Sequence, residues 1–444
     1  MSLTATQRRN SELGLGLLAV MITVGGYILV TLAEGPSLPA NIWFFLGVLI
    51  GLYVVAHLAV RRFAPRADGT LLPLAALLNG IGFITITRID RDANDQLAPS
   101  QAVWTMVGVL AFIGTLWLVR RTTVLERYRY TFLFLGIVAL MLPLLPGLGT
   151  EINGARLWVR IGPINFQPGE AAKVLLVVFF AAYLVEKREV LREGSRRFAG
   201  MRIPAAKHLG PLLLAWGFSI LVMVYQKDLG SSLLFFAVFA VMLYMATERA
   251  AYLLAGLGLF VAGAAIAYQL FGHVEERVAV WRNPWPLAEG DGYQTVQSLF
   301  SFGSGGFAGT GFGLGSPDKI PNAATDFIFS AIGEELGLLG TVGVLIGFLL
   351  LIGAGFRVAV QADRPFPKLF AAGLTSIIGI QTFVILGGVT RLIPLTGVTL
   401  PFVSYGGSSL IANFVVLALL LRISDESAER APSPSARAGA LARR

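Results

Sequence analysis

The segment IPNAATDFIFSAIGEELG (320–337) opens an apolar stretch that contains no basic residue before Arg357. Three carboxylates lie in this segment: Asp326 near its start, and Glu334 and Glu335 more than two helical turns further along. An ionisable side chain at membrane depth costs about 2.5–3.5 kcal/mol or more, so such residues are normally retained for a function. This segment therefore indicates a membrane-spanning helix whose acids have specific tasks.

The composition of the whole chain is that of a membrane protein. Hydrophobic residues make up 55% of the 444 residues and charged residues 14%, whereas a soluble domain has about 25% charged residues. Apolar runs recur that are long enough to cross a bilayer core of about 30 Å as helices. We predict an all-α polytopic membrane protein with about twelve transmembrane helices. The predicted spans are 13–33, 40–60, 71–88, 101–119, 131–146, 168–185, 209–226, 229–246, 250–270, 326–356, 369–390 and 405–422.

The distribution of basic residues predicts the orientation of the chain. With a cytoplasmic N-terminus, most of the 35 Lys and Arg residues lie in inner segments, above all in the loop 186–208, as the positive-inside rule requires. We therefore expect both termini to be cytoplasmic and the one large extracellular loop to be 271–325. Residues 1–423 are expected to form one transmembrane domain in the plasma membrane. The small, polar, Pro-containing segment 424–444 is expected to be a disordered cytoplasmic tail.

Composition also argues against several classes of function. The net charge of +9 comes from basic residues dispersed among loops, which fits anionic lipid at the inner leaflet rather than nucleic acid. The chain has no cysteine and only three widely separated histidines, so we predict no disulfide and no metal site built from these residues. The glycine-rich loop GSGGFAGTGFGLGS (303–316) lacks the GK[ST] ending of a nucleotide-binding loop.

Polar residues gather at the predicted outer ends of the helices, which indicates chemistry on the outer face. Glu170 and Lys173 are spaced i,i+3 and share a helix face. Either they form an intrahelical ion pair, or Lys173 also meets an anionic head group in a cavity. The segment PFVSYGGSSL (401–410) includes Ser408 and combines a proline, glycines and hydroxyls at a helix start. We expect it to line a cavity.

Asp228 and Asp326 have both a structural and a functional interpretation. Each precedes an apolar run, where a carboxylate can accept hydrogen bonds from the first N–H groups of the helix and complement its dipole. In the functional interpretation, each faces a cavity at the membrane surface. The pattern alone leaves both interpretations open for both residues.

Glu334 and Glu335 lie too deep in their helix for simple capping. Buried charges need partners, usually from another element. We expect Lys173 or Arg391 to pair with them, and we interpret the two glutamates as structural supports of a polar cavity rather than as participants in chemistry.

Five longer motifs resemble the SEDS family (shape, elongation, division and sporulation), the RodA/FtsW/SpoVE group of bacterial cell-wall glycosyltransferases. They occur in order from the fifth predicted helix to the twelfth, which makes the resemblance specific. The motifs are NGARLWVRIGPINFQPGEAAK (153–173), QKDLGSS (226–232), GYQTVQSLFSFGSGGFAGTGFG (292–313), TDFIFSAIGEELG (325–337) and IPLTGVTLPFVSYGGSSL (393–410).

The resemblance implies polymerisation of lipid II, the undecaprenyl-diphosphate-linked disaccharide-peptide, on the outer face of the plasma membrane. It implies a role in cell-wall elongation and shape, beside a class B penicillin-binding transpeptidase. Asp326, the acid of the TDFIF motif, is the implied catalytic carboxylate. The residues expected to bind substrate are Arg156, Trp158, Glu170, Lys173, Asp228, Arg277 and Ser408.

Several positions depart from the usual family motifs. PGE at 168–170 stands in place of PSE, KDLGS at 227–231 in place of PDLGT, and PNAA at 321–324 in place of PExH. Members usually have ten helices, so two extra helices are expected near the N-terminus. These departures and the Ala- and Arg-rich composition suggest an actinobacterial RodA-like branch.

The chemistry that the resemblance implies is one inverting displacement, because lipid II is α-linked to diphosphate and the polymer bond is β. Asp326 would take the proton from the acceptor hydroxyl as general base. The diphosphate is a good leaving group, so a second carboxylic acid of the glycosidase kind is not required. Positive charge is required instead, from Lys173, from Arg156 or Arg277, or from a divalent cation such as Mg²⁺ or Mn²⁺.

The main alternative is a transporter, either a lipid II flippase or another multi-pass carrier. Twelve helices with the longest cytoplasmic loop (186–208) between the sixth and seventh fit a major-facilitator-like carrier. A carrier, however, places its functional charges near the membrane midplane, whereas here they lie at outer helix ends. A scaffold that recruits elongation or division proteins is a third interpretation.

Overall fold

The computed structural model describes residues 5–34, 42–93, 96–152, 154–162, 164–193, 196–198, 201–203 and 206–430. Its elements, in chain order, are α1 (Ala5–Glu34), α2 (Ile42–Phe63), α3 (Leu71–Ala93), α4 (Leu97–Leu118), α5 (Thr122–Arg127), α6 (Arg129–Met141), β1 (Gly149–Ile152), β2 (Ala155–Ile161), β3 (Ile164–Phe166), α7 (Pro168–Glu186), α8 (Arg188–Glu193), β4 (Arg196–Phe198), β5 (Met201–Ile203), α9 (Ala206–Tyr225), α10 (Leu229–Thr247), α11 (Ala250–Leu270), α12 (Gly272–Arg282), α13 (Tyr293–Gly305), α14 (Ile328–Gln361), α15 (Pro365–Val389) and α16 (Gly407–Arg430).

Within the described ranges, eleven helices are long and apolar enough to cross a membrane. They correspond to eleven of the twelve predicted spans. The remaining predicted span, 131–146, is a shorter apolar helical segment, Arg129–Leu144, and its α6 portion packs along α7. The prediction of an all-α polytopic membrane protein is therefore confirmed. The cytoplasmic position of the termini stays a prediction.

The most buried helices are α7, α15 and α16. In the apolar stretch of each of these helices, 78% of the residues are buried inside the protein. Phe179, Phe180 and Phe370 are fully buried where α7 and α15 meet the rest of the bundle. Helix α11, by contrast, is only 6% buried. Apolar side chains on its surface are expected because lipid rather than water surrounds a membrane helix.

Helices α1 and α2 pack against α3 and α4 at one side of the bundle. The start of α1 is held by a buried polar cluster, in which Arg9 donates hydrogen bonds to Glu12 and to the carbonyl oxygen of Ala67. His57 of α2 lies 2.7 Å from the same glutamate through Nδ1. The cluster ties α1 to α2 and to the loop before α3, and its charges are mutually compensated as buried charges must be.

Two small β structures lie outside the long helices. Strands β1, β2 and β3 form an antiparallel sheet in that order, with Thr150 opposite Trp158 and Val159 opposite Phe166. Strands β4 and β5 form an antiparallel pair. The loop 271–325 contains α12, α13 and two short 3₁₀ helices. The sheet and this loop lie at the same end of the bundle as the start of α7 and of α14.

Helix α14 is interrupted at Gly337, whose φ of 65° and ψ of −160° are not helical. The glycine-rich loop 303–316 supplies backbone hydrogen bonds at this break. The N–H of Leu338 donates to the carbonyl oxygen of Gly306 at 3.0 Å, and the N–H of Thr310 donates to that of Glu334 at 2.9 Å. The loop therefore supports the N-terminal part of α14, and its glycines allow two backbones to lie in contact.

Helix α16 continues to Arg430, into the segment 424–444 that was expected to be a disordered tail. Asp425 accepts a hydrogen bond from the backbone N–H of Arg66 at 2.7 Å, and Glu426 accepts one from that of Thr122 at 2.6 Å. These contacts with inter-helix loops hold the last turns of the helix. The polar composition of the segment alone does not predict them. The rest of the predicted tail, 431–444, lies outside the described residues.

Candidate active site

Two cavities meet at Asp326. The larger has a volume of about 890 Å³ and extends between α4, the β1–β3 sheet, the start of α7 and the start of α16. The smaller has a volume of about 580 Å³ and lies under α12, the start of α13 and the end of α15. Four described residues line both cavities: Arg277, Asn322, Asp326 and Gly397. A group bound in either cavity would therefore reach the same carboxylate.

Asp326 directly precedes α14 but does not cap it. The N-cap of α14 is Phe327, and no side chain accepts a hydrogen bond there. The carboxyl is partly buried, and burial raises its pKa to about 6, although the positive charge of Arg277 and a hydrogen bond from Thr325 oppose the shift. The group is thus ionised at neutral pH but binds a proton more tightly than an exposed aspartate, which suits a general base.

Arg277 on α12 brings positive charge to the junction of the cavities. Its Nη1 donates a hydrogen bond to the carbonyl oxygen of Leu395 at 3.1 Å, which fixes α12 against the segment before α16. A Cβ atom on Gly397 would stand 3.6 Å from Oδ2 of Asp326 and 3.9 Å from Nη2 of Arg277. Gly397 also has a φ of 74°, in the left-handed region that favours glycine. A side chain here would be strained by the left-handed backbone conformation, while its Cβ atom would stand in ordinary contact with both groups.

Asp228 behaves differently from Asp326, although the two have the same sequence signal. Asp228 is the N-cap of α10 and accepts a hydrogen bond from the backbone N–H of Ser231 at 2.9 Å. It also lines the larger cavity. Burial raises the pKa of its carboxyl, and the hydrogen bond to Ser231 opposes this shift. The capping interpretation is confirmed for Asp228 and does not hold for Asp326.

Glu170 and Lys173 form the predicted ion pair, with Nζ of Lys173 2.9 Å from Oε1 of Glu170. Lys173 is 3% exposed and also donates to Oε1 of Gln381 at 3.3 Å. Gln381 in turn donates to the carbonyl oxygen of Thr399, a residue of the larger cavity. Glu170 lines that cavity, whereas Lys173 is not among its described lining residues. Lys173 therefore lies behind the cavity wall and holds it in place.

The other predicted substrate-binding residues separate into two groups. Trp158 of β2 and Ser408 of α16 both line the larger cavity, and the hydroxyl oxygen of Ser408 accepts a hydrogen bond from the backbone N–H of Gln167 at 2.9 Å. Arg156 is exposed on β2 and is not among the described residues of either cavity. The geometry thus favours Arg277 over Arg156 as the cation beside Asp326.

Glu334 and Glu335 support the N-terminal part of α14, but the prediction that Lys173 or Arg391 pairs with them was wrong. Oε1 of Glu335 accepts from Nε of Arg88 at 2.9 Å, and Oε1 of Glu334 accepts from the backbone N–H of Ser316 at 2.9 Å.

The physical reason is that both predicted cations are engaged elsewhere. Lys173 forms an ion pair with Glu170 of the same helix, and Arg391 donates to the carbonyl oxygens of Trp281 and Arg282. The sequence did contain a signal for the correct partner, because Arg88 is the basic residue at the end of the predicted span 71–88.

Several cavity residues were not predicted from the sequence. Asn322 lines both cavities, His273 lines the smaller one and Lys227 lines the larger one. Asn322 and Lys227 occupy positions where the motifs depart from the family pattern, so the sequence could have indicated them. No sequence pattern indicated His273. Burial lowers the pKa of its imidazole, as do the charges of Arg277 and Lys227, so it is neutral near pH 7.

Among the residues that the structure describes, no three His, Cys, Asp or Glu side chains are grouped closely enough to hold a metal ion. A divalent cation at Asp326 would therefore take most of its oxygen ligands from substrate and water, as Mg²⁺ commonly does.

The chain is similar to proteins of one bacterial family. A sequence profile of the cell cycle protein family FtsW/RodA/SpoVE matches residues 69–429, and α1 and α2 precede the match. The peptidoglycan glycosyltransferase RodA of Mycobacterium tuberculosis is 46% identical over 424 residues, which is 94% of this chain and 90% of that protein. The probable peptidoglycan glycosyltransferase FtsW of Geobacter metallireducens is 35% identical over 73% of this chain and 84% of that protein.

Solved structures are similar too. A chain from a peptidoglycan synthase complex, described as coordinating polymerization and crosslinking, has a TM-score of 0.64 and 29% identity, covering 81% of this chain and 98% of that one. The rod shape determining protein RodA of Thermus thermophilus has a TM-score of 0.58 and 28% identity, covering 81% and 96%.

Proposed function

Because the chain belongs to the FtsW/RodA/SpoVE family and is a multi-pass peptidoglycan glycosyltransferase of the plasma membrane, we propose that it polymerises lipid II on the outer membrane face. The observation that carries this proposal is the junction of two cavities at one carboxylate. A polymerase must bring two sugar substrates together at a base, and the two cavities meet at Asp326 and Arg277.

The larger cavity suits the lipid-linked donor. One wall consists of Pro99, Val103, Trp104 and Val107 of α4, a helix that is apolar enough to cross the membrane. A polyprenyl chain bound along this wall would keep its apolar surface out of water. The smaller cavity is lined mainly by residues of the loop 271–325, and several of them are polar, including His273, Asp291 and Gln294. We assign the acceptor sugar to it.

The reaction is then a single inverting displacement at the donor sugar. The acceptor hydroxyl oxygen forms a bond to the anomeric carbon, and the bond from that carbon to the diphosphate oxygen breaks. The electron pair of the broken bond goes to the diphosphate, and the hydroxyl proton goes to Asp326. The positive charge of Arg277 stabilises the departing diphosphate in a partly buried site. A divalent cation bound mainly by the diphosphate would supply further positive charge.

The positions of the functional groups favour a polymerase over a flippase. Asp326, Arg277, Glu170 and Asp228 all lie at helix starts or in the external loop that line the same two cavities. A transporter would be expected to place its coupling charges at the membrane midplane.

We further propose that the protein serves cell-wall elongation and shape, beside a class B penicillin-binding transpeptidase. The similarity to a chain from a complex that coordinates polymerization and crosslinking supports this partner.

The proposal is tested with purified protein and labelled lipid II, with and without the transpeptidase, by sizing the products on a gel. We expect glycan polymer from the wild type, and at least about 100-fold less from Asp326→Asn and Asp326→Ala, the loss typical of removing a general base. Asp318→Asn is the matched control, because Asp318 is an exposed acid of the same external loop and is not a described residue of either cavity.

Each alternative outcome has a distinct meaning. If Asp326→Ala formed as much polymer as the wild type, Asp326 would be excluded as the base. Movement of lipid II across liposome membranes without polymer would favour the flippase. Addition of EDTA, followed by Mg²⁺ or Mn²⁺, reports whether a divalent cation takes part.

A further inference from the structure

The turn between α9 and α10 contains a lysine in an unusual backbone conformation. The N–H of Asp228 donates to the carbonyl oxygen of Met223 at 2.9 Å, and the N–H of Lys227 donates to that of Val224 at 2.9 Å. These two bonds are those of a Schellman motif, which ends a helix with one residue in the left-handed conformation, usually glycine. Here that residue is Lys227, with a φ of 61°. The backbone alone gives no reason for a lysine at this position.

The side chain of Lys227 is exposed and lines the larger cavity. Among the described lining residues of that cavity, the only basic ones are Lys227 and Arg277. The other charged residues there are three acids: Glu170 pairs with Lys173, Asp228 caps α10, and Asp326 lies at the junction. The ammonium of Lys227 is thus available to a ligand.

Lys227 and Arg277 line the same cavity and reach it from two different elements, the turn before α10 and helix α12. Both charges also lower the pKa of the His273 imidazole in the smaller cavity. Two cations beside a cavity with an apolar wall suit a ligand that has a compact, multiply charged anion attached to a long hydrocarbon chain. A lysine ammonium is a compact point charge on a flexible stem, which suits phosphate oxygens in varied geometry.

We propose that Lys227 binds the diphosphate of the lipid-linked substrate in the larger cavity, together with Arg277. This inference rests on the proposed function and identifies a second diphosphate-binding cation. The family motif quoted above has proline at this position. Proline cannot adopt a φ of 61°, so in this chain the turn itself differs from one that a proline would form, and the difference adds one positive charge to the cavity.

The test is direct binding of undecaprenyl diphosphate, which carries no sugar and cannot react, to the full-length protein in detergent. The variants are Lys227→Asn and Lys227→Gly, because asparagine and glycine tolerate the left-handed conformation and preserve the turn. Lys227→Arg keeps the charge. Lys319→Asn is the matched control, since Lys319 is an exposed lysine of the external loop and is not a described residue of either cavity.

We expect Lys227→Asn and Lys227→Gly to weaken binding of undecaprenyl diphosphate about tenfold, the typical effect of losing a hydrogen bond to a charged group. Lys227→Arg and Lys319→Asn should bind as the wild type does. Undecaprenyl monophosphate should be less sensitive to loss of Lys227, because it has one phosphate fewer to contact.

Unchanged binding in both Lys227→Asn and Lys227→Gly would overturn the inference and leave Lys227 as a turn residue only. Absence of diphosphate binding by the wild type would overturn it as well. Failure of the proposed function looks different: the wild type would bind undecaprenyl diphosphate in a Lys227-dependent manner and yet form no polymer from lipid II.

Discussion

At the scale of single residues, Asp228 and Asp326 show how one sequence pattern leads to two outcomes. Both are acids that precede an apolar helix. Asp228 accepts a hydrogen bond from the N–H of Ser231 and caps α10. Helix α14 instead has Phe327 as its N-cap, so Asp326 stands one residue too early in the chain to cap it. The carboxylate of Asp326 is therefore directed to the cavities and is free to exchange a proton.

The raised pKa of Asp326 predicts how the polymerisation rate depends on pH. A general base must be unprotonated, and the pKa is about 6. The rate should therefore be level above this pH and fall roughly tenfold per pH unit below it. Initial rates from labelled lipid II across this range check the prediction.

A companion variant identifies the titrating group. The charge of Arg277 lowers the pKa of Asp326, so Arg277→Gln should move the acid limb to higher pH as well as reduce the rate. Thermal unfolding measured over the same pH range controls for loss of folded protein. A rate that is unchanged between about pH 5 and 8 would contradict the assignment of Asp326 as the base.

At the scale of structural elements, the N-terminal part of α14 depends on the loop 303–316. The loop backbone supplies hydrogen bonds at the break at Gly337. Glu334 accepts a hydrogen bond from the N–H of Ser316 at the end of the loop, and Glu335 accepts one from Arg88 of α3. Asp326 directly precedes this supported part of the helix. The position of the carboxylate thus depends on contacts that lie away from the cavities themselves.

The substitution Gly337→Ala tests this dependence. A Cβ atom at this position would lie 2.3 Å from the nitrogen of Gly309 and 2.7 Å from the oxygen of Phe307, and the φ of Gly337 is 65°. We expect a loss of about 2–4 kcal/mol in the free energy of unfolding, from overpacking and the left-handed backbone. Thermal unfolding in detergent measures the change, and the polymerisation rate should fall with it.

Gly343→Ala provides the control on the same helix. A Cβ atom at Gly343 would have nothing within 4 Å, so the variant should be neutral or stabilised by about 0.5–1 kcal/mol through helix propensity. If Gly337→Ala melted at the wild-type temperature, the loop would not be a support of α14.

At the scale of the whole molecule, the helices form one bundle with the functional groups at one end. Four helix starts and the external loop contribute residues to the two cavities, while the opposite end holds the basic loops. The positive-inside rule then predicts that the cavities face the outside of the cell and that both termini are cytoplasmic.

Introduced cysteines test this orientation cleanly, because the native chain has none. Glu289 is exposed in the external loop, and Asp363 is exposed in the turn between α14 and α15. A membrane-impermeant maleimide should label Glu289→Cys in intact cells, and Asp363→Cys only after permeabilisation. The cysteine-free parent controls for background. The reverse pattern would place the cavities in the cytoplasm and exclude polymerisation on the outer face.

The amino-acid sequence by itself determined the membrane class, eleven long helices with their ends shifted by up to eight residues, and the motifs that contain the site. These features are local: a run of apolar residues must form a helix in lipid because its backbone groups have no other hydrogen-bond partners there. The helix starts that line the cavities were identifiable for the same reason, since charged residues near a membrane helix are rare enough to stand out.

Only the tertiary structure decided which charge meets which. Glu335 pairs with Arg88, 247 residues earlier in the chain, Lys173 lies behind the cavity wall, and Arg156 is not brought to it. Lys227 and Asn322 reach the site through turns, and His273 reaches it from helix α12; no periodicity encodes the direction of these segments. Pairing of charges depends on distances between helices that are far apart in the chain, and those distances are set by packing of the whole bundle rather than by any local sequence pattern.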